Sequence, residues 1–173
     1  MIKLTHKAKE YGNADRLAED FLKEYFKEEP IKYPINPFQI LKDMGVMFLL
    51  QRYRKLEGVY LPATGDDDYP MVGINADRPI TRQRFTAAHE LCHHLRDADK
   101  QTACPIGQKD KSEQFADNFA AALLMPLSEL KKCVNQYRVN KTDYISFDNV
   151  LEISNYFGVS FESCLYRIAY RCH

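Results

Sequence analysis

Apolar residues near the start of the chain recur at the spacing of an amphipathic α-helix. Asn13 can cap the N-terminus of this helix and Pro30 ends it, and the apolar face comprises Leu17, Phe21, Tyr25 and Phe26. In the next segment Asn36 is a suitable cap and Pro37 a suitable first helical residue. The sequence therefore predicts a long packing helix, followed by a short helix that stops at Gly45.

The pattern changes after Gly45. Val46 to Tyr53, Gly58 to Pro62 and Met71 to Asn75 are rich in β-branched, aromatic and long apolar residues. Gly, Asp and Pro separate the second of these segments from the third. The three segments predict the strands of a small, mainly antiparallel sheet.

Helical spacing returns at Thr81 and continues to the end of the chain. Ser or Thr stands at the start of each predicted helix, and Pro126 and Gly158 mark two of the stops. The predicted helices run from Thr81 to about Arg96, Ser112 to about Met125, Ser128 to about Tyr137, Ser146 to about Phe157 and Ser160 to about Arg171. The segment from Asp97 to Lys111 is predicted to be a loop.

Together these elements predict an α+β fold: one mostly helical domain with a three-stranded sheet beside the helix that begins at Thr81. A chain of 173 residues with 45% hydrophobic residues can form one core of ordinary size. Within the single domain 1–173, we expect N-terminal helices in 1–45, the sheet in 46–80, a helix pair in 81–126 and C-terminal helices in 127–173.

Charge and cysteine content narrow the function classes. The 24 basic and 24 acidic residues are interspersed, so we expect neither direct nucleic-acid binding nor membrane binding, and a protein partner is favoured. The N-terminus lacks the apolar core of a signal peptide, which predicts a cytoplasmic protein. The five cysteines form no CxxC pair, and we expect mostly reduced thiols.

A metal-binding motif, HExxH, lies inside the helix predicted from Thr81: it spans His89 to His93. Residues four apart on a helix differ by about 40° in direction and about 6 Å in rise, so both imidazoles can converge on one ion. Glu90 is turned by about 100° and can reach a water beside that ion. We therefore expect His89 and His93 to bind Zn²⁺, and Glu90 to be the catalytic base. Manganese or iron would also suit such a site.

A catalytic zinc usually has three protein ligands, so a third is required. Glu113 and Asp117 stand four apart on the next predicted helix, and both can face the histidine helix. We expect Glu113 to be the ligand, and Asp117 to accept a hydrogen bond from the outer nitrogen of a ligating histidine. Asp97 and Asp110 remain alternative carboxylates within reach.

Several segments resemble the ImmA/IrrE family of metallopeptidases, over nearly the whole chain. The likeness rests on Pro34–Asn36, Arg82–His93, Glu113–Pro126, Phe157–Ser160 and Leu165–Arg167. The resemblance implies a zincin-like fold and zinc-dependent peptidase activity, with Glu113 as the third ligand. It also implies a substrate class: helix-turn-helix transcriptional repressors, often of mobile elements or prophages, whose cleavage relieves repression. Cys92 and Asp117 depart from the family, which usually has Gly and Asn at these positions.

Other interpretations of the sequence lead to different functions. The segment Ile153–Leu165 is somewhat similar to a helix-turn-helix, but it has no basic residue before Arg167, so we favour a packing role over DNA reading. The alternative function is a non-catalytic regulator that binds a protein partner or DNA and has a structural metal site. Arg82 and Arg84 could stabilise an oxyanion, although bracing the active helix or the sheet is the favoured role. His94 is expected to point away from the metal.

Overall fold

The computed structural model describes residues 7–65, 67–107, 110–138 and 144–172, and residues 1–6 at the N-terminus lie outside them. These described residues form seven α-helices and four strands, with a short 3₁₀ helix at Ala8–Glu10. The helices are α1 (Ala14–Phe26), α2 (Pro37–Asp43), α3 (Ile80–Arg96), α4 (Lys111–Leu124), α5 (Leu127–Tyr137), α6 (Phe147–Phe157) and α7 (Phe161–Arg171). The strands are β1 (Met47–Gln51), β2 (Leu56–Leu61), β3 (Met71–Asn75) and β4 (Thr102–Pro105).

The sheet has four strands in the order β1-β3-β2-β4, which corrects the prediction of three. β2 pairs antiparallel with both β3 and β4, whereas β1 pairs parallel with β3, so the sheet is mixed. The additional strand, β4, lies in the segment predicted to be a loop. It is four residues long and ends at a proline, so its pairing with β2 defines it as a strand, where the local sequence signal is weak.

Side-chain caps lie at the start of five helices, whereas α3 and α5 begin after Pro79 and Pro126 without one. Asp110 caps α4, so the predicted starts at Thr81, Ser112 and Ser128 are wrong as caps. Asn13 accepts a hydrogen bond from the Arg16 backbone N–H at the start of α1, and Asn36 caps α2 in the same way. Ser146 and Ser160 cap α6 and α7. The α+β class and these helix positions are confirmed, and most boundaries differ from the predicted ones by one or two residues, but α1 ends at Phe26, well before the predicted stop at Pro30.

The histidine-bearing helix α3 lies at the centre of the molecule. Sheet strands β2 and β3, together with α2, pack against it, and so does α4, which in turn packs against α1. Phe21 in α1 and Phe119 in α4 are both fully buried, and their rings meet edge-on with centroids 6.3 Å apart. The sheet thus lies beside α3, as the resemblance implied, and α4 is the neighbour that carries Glu113.

Among the described residues, no helix combines the length and the apolarity that a membrane crossing requires.

Candidate metal centre

Helix α3 brings His89 and His93 together in the interior. Each histidine is 2% exposed, and their Nε2 atoms lie 3.2 Å apart. This approach follows from the spacing of four residues, which places both rings on one face of the helix. Both rings direct the same nitrogen toward one point, as two imidazole ligands of a single ion do.

Helix α4 adds Glu113 to the pair. One carboxylate oxygen lies 3.2 Å from His89 Nε2 and the other lies 3.1 Å from His93 Nε2. Ligands that stand 2.0–2.1 Å from a zinc ion at tetrahedral angles are separated from one another by about 3.3 Å. The spacing of the three side chains and their N/N/O donor set therefore fit a divalent metal ion such as zinc.

The other carboxylates that the sequence left open as ligands have different contacts. Asp110 caps α4 and accepts hydrogen bonds from the backbone N–H groups of Ser112 and Glu113. Asp97 lies 3.8 Å from Nδ1 of His93, on the side of the ring that faces away from Glu113. Of the four carboxylates considered, Glu113 is the one that contacts both Nε2 atoms.

Asp117, one turn after Glu113 on α4, contacts the outer nitrogen of His89: its Oδ1 lies 3.0 Å from Nδ1. An ionised carboxylate is an acceptor, so Nδ1–H donates this bond. The Nε2 lone pair of the neutral ring then faces Glu113 and His93, which is the tautomer that a ligand requires. Asp117 therefore has the contact expected of it from the sequence.

Glu90 is fully buried, and neither of its carboxylate oxygens has a hydrogen-bond partner. Burial raises the pKa of Glu90 from 4.5 to about 8, the charge on His89 lowers it, and the negative charge on Glu113 raises it. Strand β2 crosses over this side chain at Gly58, and a Cβ atom there would clash with Glu90 Oε1. The carboxyl group thus lies in a tight, dry space, where it is an unusually good proton acceptor.

The ligands themselves form a strongly coupled ionic cluster. Burial opposes the charged form of His89, but hydrogen bonds with Asp117, Cys104 and Glu113 and the charge of Glu90 raise its pKa well above 6.5. Burial likewise acts against the charged form of Glu113, and its close contacts with His89 and His93 lower its pKa below the usual range. The acceptor atoms thus favour a positive charge between these side chains, and a bound cation would supply that charge.

The structure adds one side chain, Cys104 in β4, that sequence analysis did not select. Its sulfur, a His89 ring nitrogen and a Glu113 oxygen lie within 4.8 Å of one another. No pattern in the sequence marks this cysteine, because it belongs to no CxxC pair and its strand was not predicted. Cys92, inside the motif, is 1% exposed and burial raises its pKa to about 12, which fits a packed core thiol.

The nearby basic residues have structural contacts. Arg84 donates hydrogen bonds to the backbone oxygens of Gly158 and Ile35, at 2.9 Å and 2.6 Å, and so ties α3 to two loops. Arg82 pairs with Glu57 of β2 at 3.5 Å. These contacts fit the favoured bracing role, and the oxyanion-stabilising residue is not identified. His94 points away from the centre, as predicted, with its Nδ1 3.1 Å from the Tyr60 hydroxyl.

A groove of about 790 Å³ runs beside the centre, between α3, α4 and α7. Asp117 is part of its wall and also contacts His89, whereas His93, Glu90 and Glu113 do not line it. Aromatic side chains of α3 and α7, Phe85, Tyr166 and Tyr170, form part of its surface. The groove therefore reaches the outer side of the histidine helix but does not expose the three ligand atoms.

A comparison with family models gives one match that extends across the whole centre. The model described as Peptidase_M78, IrrE N-terminal-like domain, matches residues 43–169. Among curated proteins, none matches the chain. The match confirms the resemblance to the ImmA/IrrE family, whose members are metallopeptidases. Since the matched segment is well over half of the 173 residues, the chain belongs to the Peptidase_M78 family of IrrE N-terminal-like domains.

Proposed function

We propose that this protein is a zinc-dependent endopeptidase in which His89, His93 and Glu113 hold the metal and Glu90 is the catalytic base. One observation carries the proposal. Three buried side chains bring their ligand atoms to within 3.1–3.2 Å of one another, and the next residue after His89 is a buried glutamate whose two oxygens have no hydrogen-bond partner. Such a carboxyl is costly to bury, and a proton-transfer role accounts for it.

His89, His93 and Glu113 would hold the zinc ion, which would supply Lewis acidity to a water molecule and to the scissile carbonyl. Glu90 takes the proton from the attacking water and passes it to the leaving amine, so that no covalent intermediate with the protein is needed. Burial raises the pKa of Glu90 to about 8 in the metal-free protein, and the positive charge of a bound zinc ion would lower it toward the range of a general base. Asp117 holds His89 in its ligating tautomer throughout the reaction.

The substrate we propose is a helix-turn-helix transcriptional repressor, whose cleavage relieves repression in the cytoplasm. The support for this substrate is the resemblance to the ImmA/IrrE family, which is weaker than the support for the chemistry. A protein substrate, with no direct binding of nucleic acid, also agrees with the even balance of 24 basic and 24 acidic residues.

The alternative is a regulator that uses the same residues as a structural metal site. The proximity of Cys104 favours it, because a structural zinc is usually enclosed by four protein ligands. Glu90 argues against it: a structural site has no use for a buried carboxyl that lacks hydrogen-bond partners. Peptidase activity is therefore the better supported function.

The test combines metal analysis with cleavage of a helix-turn-helix repressor. We expect about one zinc per wild-type chain by mass spectrometry, and loss of both metal and cleavage in His93→Ala. Glu90→Gln should keep the zinc and lose roughly 10²–10⁴-fold in cleavage rate, because proton transfer is removed. Glu29→Gln, at an exposed position, is the matched control and should behave as wild type.

Two results would overturn the proposal. If the wild type binds no zinc at neutral pH after zinc is added back, the HExxH motif does not form a metal site. If zinc binds and Glu90→Gln cleaves at the wild-type rate, Glu90 is not the base. If the wild type retains zinc but cleaves neither the repressor nor unfolded protein substrates, the structural-site alternative is favoured.

A further inference from the structure

We propose that Cys104 is a fourth ligand of the metal and that its thiolate holds the peptidase in a closed, latent form. The inference rests on the proposed function, because it concerns the regulation of the same centre. A catalytic zinc keeps one position open for water or substrate, whereas a site with four protein ligands is closed. A thiolate in that position would therefore exclude the attacking water until it is displaced.

The geometry places the thiol at the ligand cluster. The Cys104 sulfur lies within 4.8 Å of a ligating atom of His89 and of one of Glu113. The Nδ1 of His89 is already bonded to Asp117, so the inner face of the ring, with Nε2, is the part turned toward the cluster. Thiolate is also a preferred ligand of zinc, at a Zn–S distance of about 2.3 Å.

Glu113 gives an independent indication that a cation belongs among these atoms. Its side chain is directed at the two histidines and it is only 9% exposed, yet its Oε2 atom is buried without a hydrogen-bond partner. A buried carboxylate oxygen without a partner is rare in native proteins, and a bound ion is one explanation for it. The same oxygen lies 3.2 Å from Nε2 of His89, and a ligating nitrogen of this ring lies within 4.8 Å of the Cys104 sulfur.

The burial of the centre agrees with closure of the metal site by Cys104. His89 and His93 are 2% exposed and Glu90 is fully buried, so a peptide backbone does not reach them in this arrangement. Cys104 itself is partly exposed and lies on β4, at the edge of the sheet. This strand is four residues long and pairs with β2, so few hydrogen bonds oppose its displacement.

The other four cysteines do not share these features. Cys133, Cys164 and Cys172 are buried in or next to α5 and α7, and Cys92 faces the core from α3. Cys104 is therefore the thiol that combines partial exposure with contact to the cluster. This difference provides a control: Cys133→Ala removes a thiol without touching the centre.

Cobalt substitution tests the ligand directly, without reference to activity. We expect one cobalt per chain in the wild type, with the near-ultraviolet charge-transfer absorption that a thiolate–cobalt bond produces. Cys104→Ala and Cys104→Ser should still bind one cobalt through the two histidines and Glu113 but lack this absorption, whereas Cys133→Ala should retain it. Zinc affinity should fall by at least about 10–100-fold in the Cys104 variants, since losing a ligand costs no less than losing an outer partner.

Alkylation and cleavage complete the test. In the zinc-loaded wild type, iodoacetamide should modify Cys104 slowly, and removal of zinc by a chelator should accelerate this modification, as measured by peptide mass spectrometry. Cleavage of the repressor by zinc-loaded Cys104→Ala should exceed that by the wild type.

The outcomes separate the two proposals. Cobalt bound without thiolate absorption, or alkylation that zinc does not slow, overturns the role of Cys104 and leaves the proposed peptidase standing. A cleavage rate in Cys104→Ala no higher than in the wild type overturns latency. Failure of the wild type to bind either metal overturns both proposals.

Discussion

Two regions of this protein differ in whether their buried polar groups have hydrogen-bond partners. In α3 and α4, both oxygens of Glu90 and one oxygen of Glu113 are buried without a hydrogen-bond partner. In α7, Arg167 is almost equally buried, at 5% exposure, but its guanidinium donates to the Met125 backbone oxygen at 2.8 Å and to Asp15 at 2.7 Å.

This difference in hydrogen bonding distinguishes the candidate metal centre from a purely structural contact. A buried polar atom without a partner costs about 1–3 kcal/mol, so its presence indicates that the site is built for something other than stability. Arg167 joins α7 to α1 and to the end of α4. The packing role expected for the segment Ile153–Leu165 agrees with this use of Arg167.

The largest expected effect concerns the buried ion pair between Arg167 and Asp15. Arg167→Met should lower the free energy of unfolding by about 3–5 kcal/mol, because it leaves the Asp15 carboxylate and a buried carbonyl without their main partner. Arg171→Met is the control: Arg171 also contacts Asp15, at 3.2 Å, but it is exposed, so the cost should be below about 1 kcal/mol. Urea unfolding measures both variants.

Zinc stoichiometry should be unchanged in both arginine variants, since neither side chain contacts the centre. Equal losses of stability in the two variants would contradict the distinction between a buried structural cation and a surface one.

The next effect concerns Glu90 in the metal-free protein. Burial raises its pKa from 4.5 to about 8, so the folded state binds a proton that the unfolded state has released between these values. Over that range each unit of rising pH should therefore cost the folded wild type up to about 1.4 kcal/mol relative to Glu90→Gln. The free energy of unfolding of Glu90→Gln, relative to that of the wild type, should therefore be higher near pH 8 than near pH 5.

Urea unfolding of chelator-treated protein at several pH values measures this difference. Glu29→Gln, at an exposed position, should follow the wild-type curve. Parallel curves for wild type and Glu90→Gln would show that the carboxyl is not held in a dry environment in the folded protein.

The smallest effect concerns Asp117. Asp117→Asn should weaken zinc binding by about tenfold, because the neutral amide stabilises the ligating form of His89 less than a carboxylate does. A competition titration with a chromophoric chelator measures this change. Asp148→Asn, at an exposed position in α6, provides the control. An unchanged affinity in Asp117→Asn would mean that the contact with His89 is not coupled to the metal.

The sequence predicts those parts of the molecule whose signals are local. The caps Asn13, Asn36, Ser146 and Ser160 each act on backbone groups within three residues, and the helices they begin were predicted. The approach of His89 to His93 is also local, because it depends on the pitch of one helix. Local rules therefore predict the approach of His89 and His93, two of the three proposed ligands.

Features that depend on distant pairing could not be predicted in the same way. Strand β4 forms because β2 lies beside it, and Cys104 reaches the centre because β4 forms. The choice of Glu113 among the available carboxylates likewise rests on how α4 packs against α3. For Glu113, the resemblance to a family supplied what helical spacing alone left open.

The ion pair between Arg167 and Asp15 also shows that the limits of a family match are not the limits of a folding unit. The match covers residues 43–169 and so includes Arg167 but omits Asp15 and all of α1. A protein trimmed to the matched segment would lose the helix that packs against α4 and would leave Phe119 without its partner Phe21. The helix that carries Glu113 would then lack support on its far side, so the N-terminal residues belong to any version of this chain meant to bind metal.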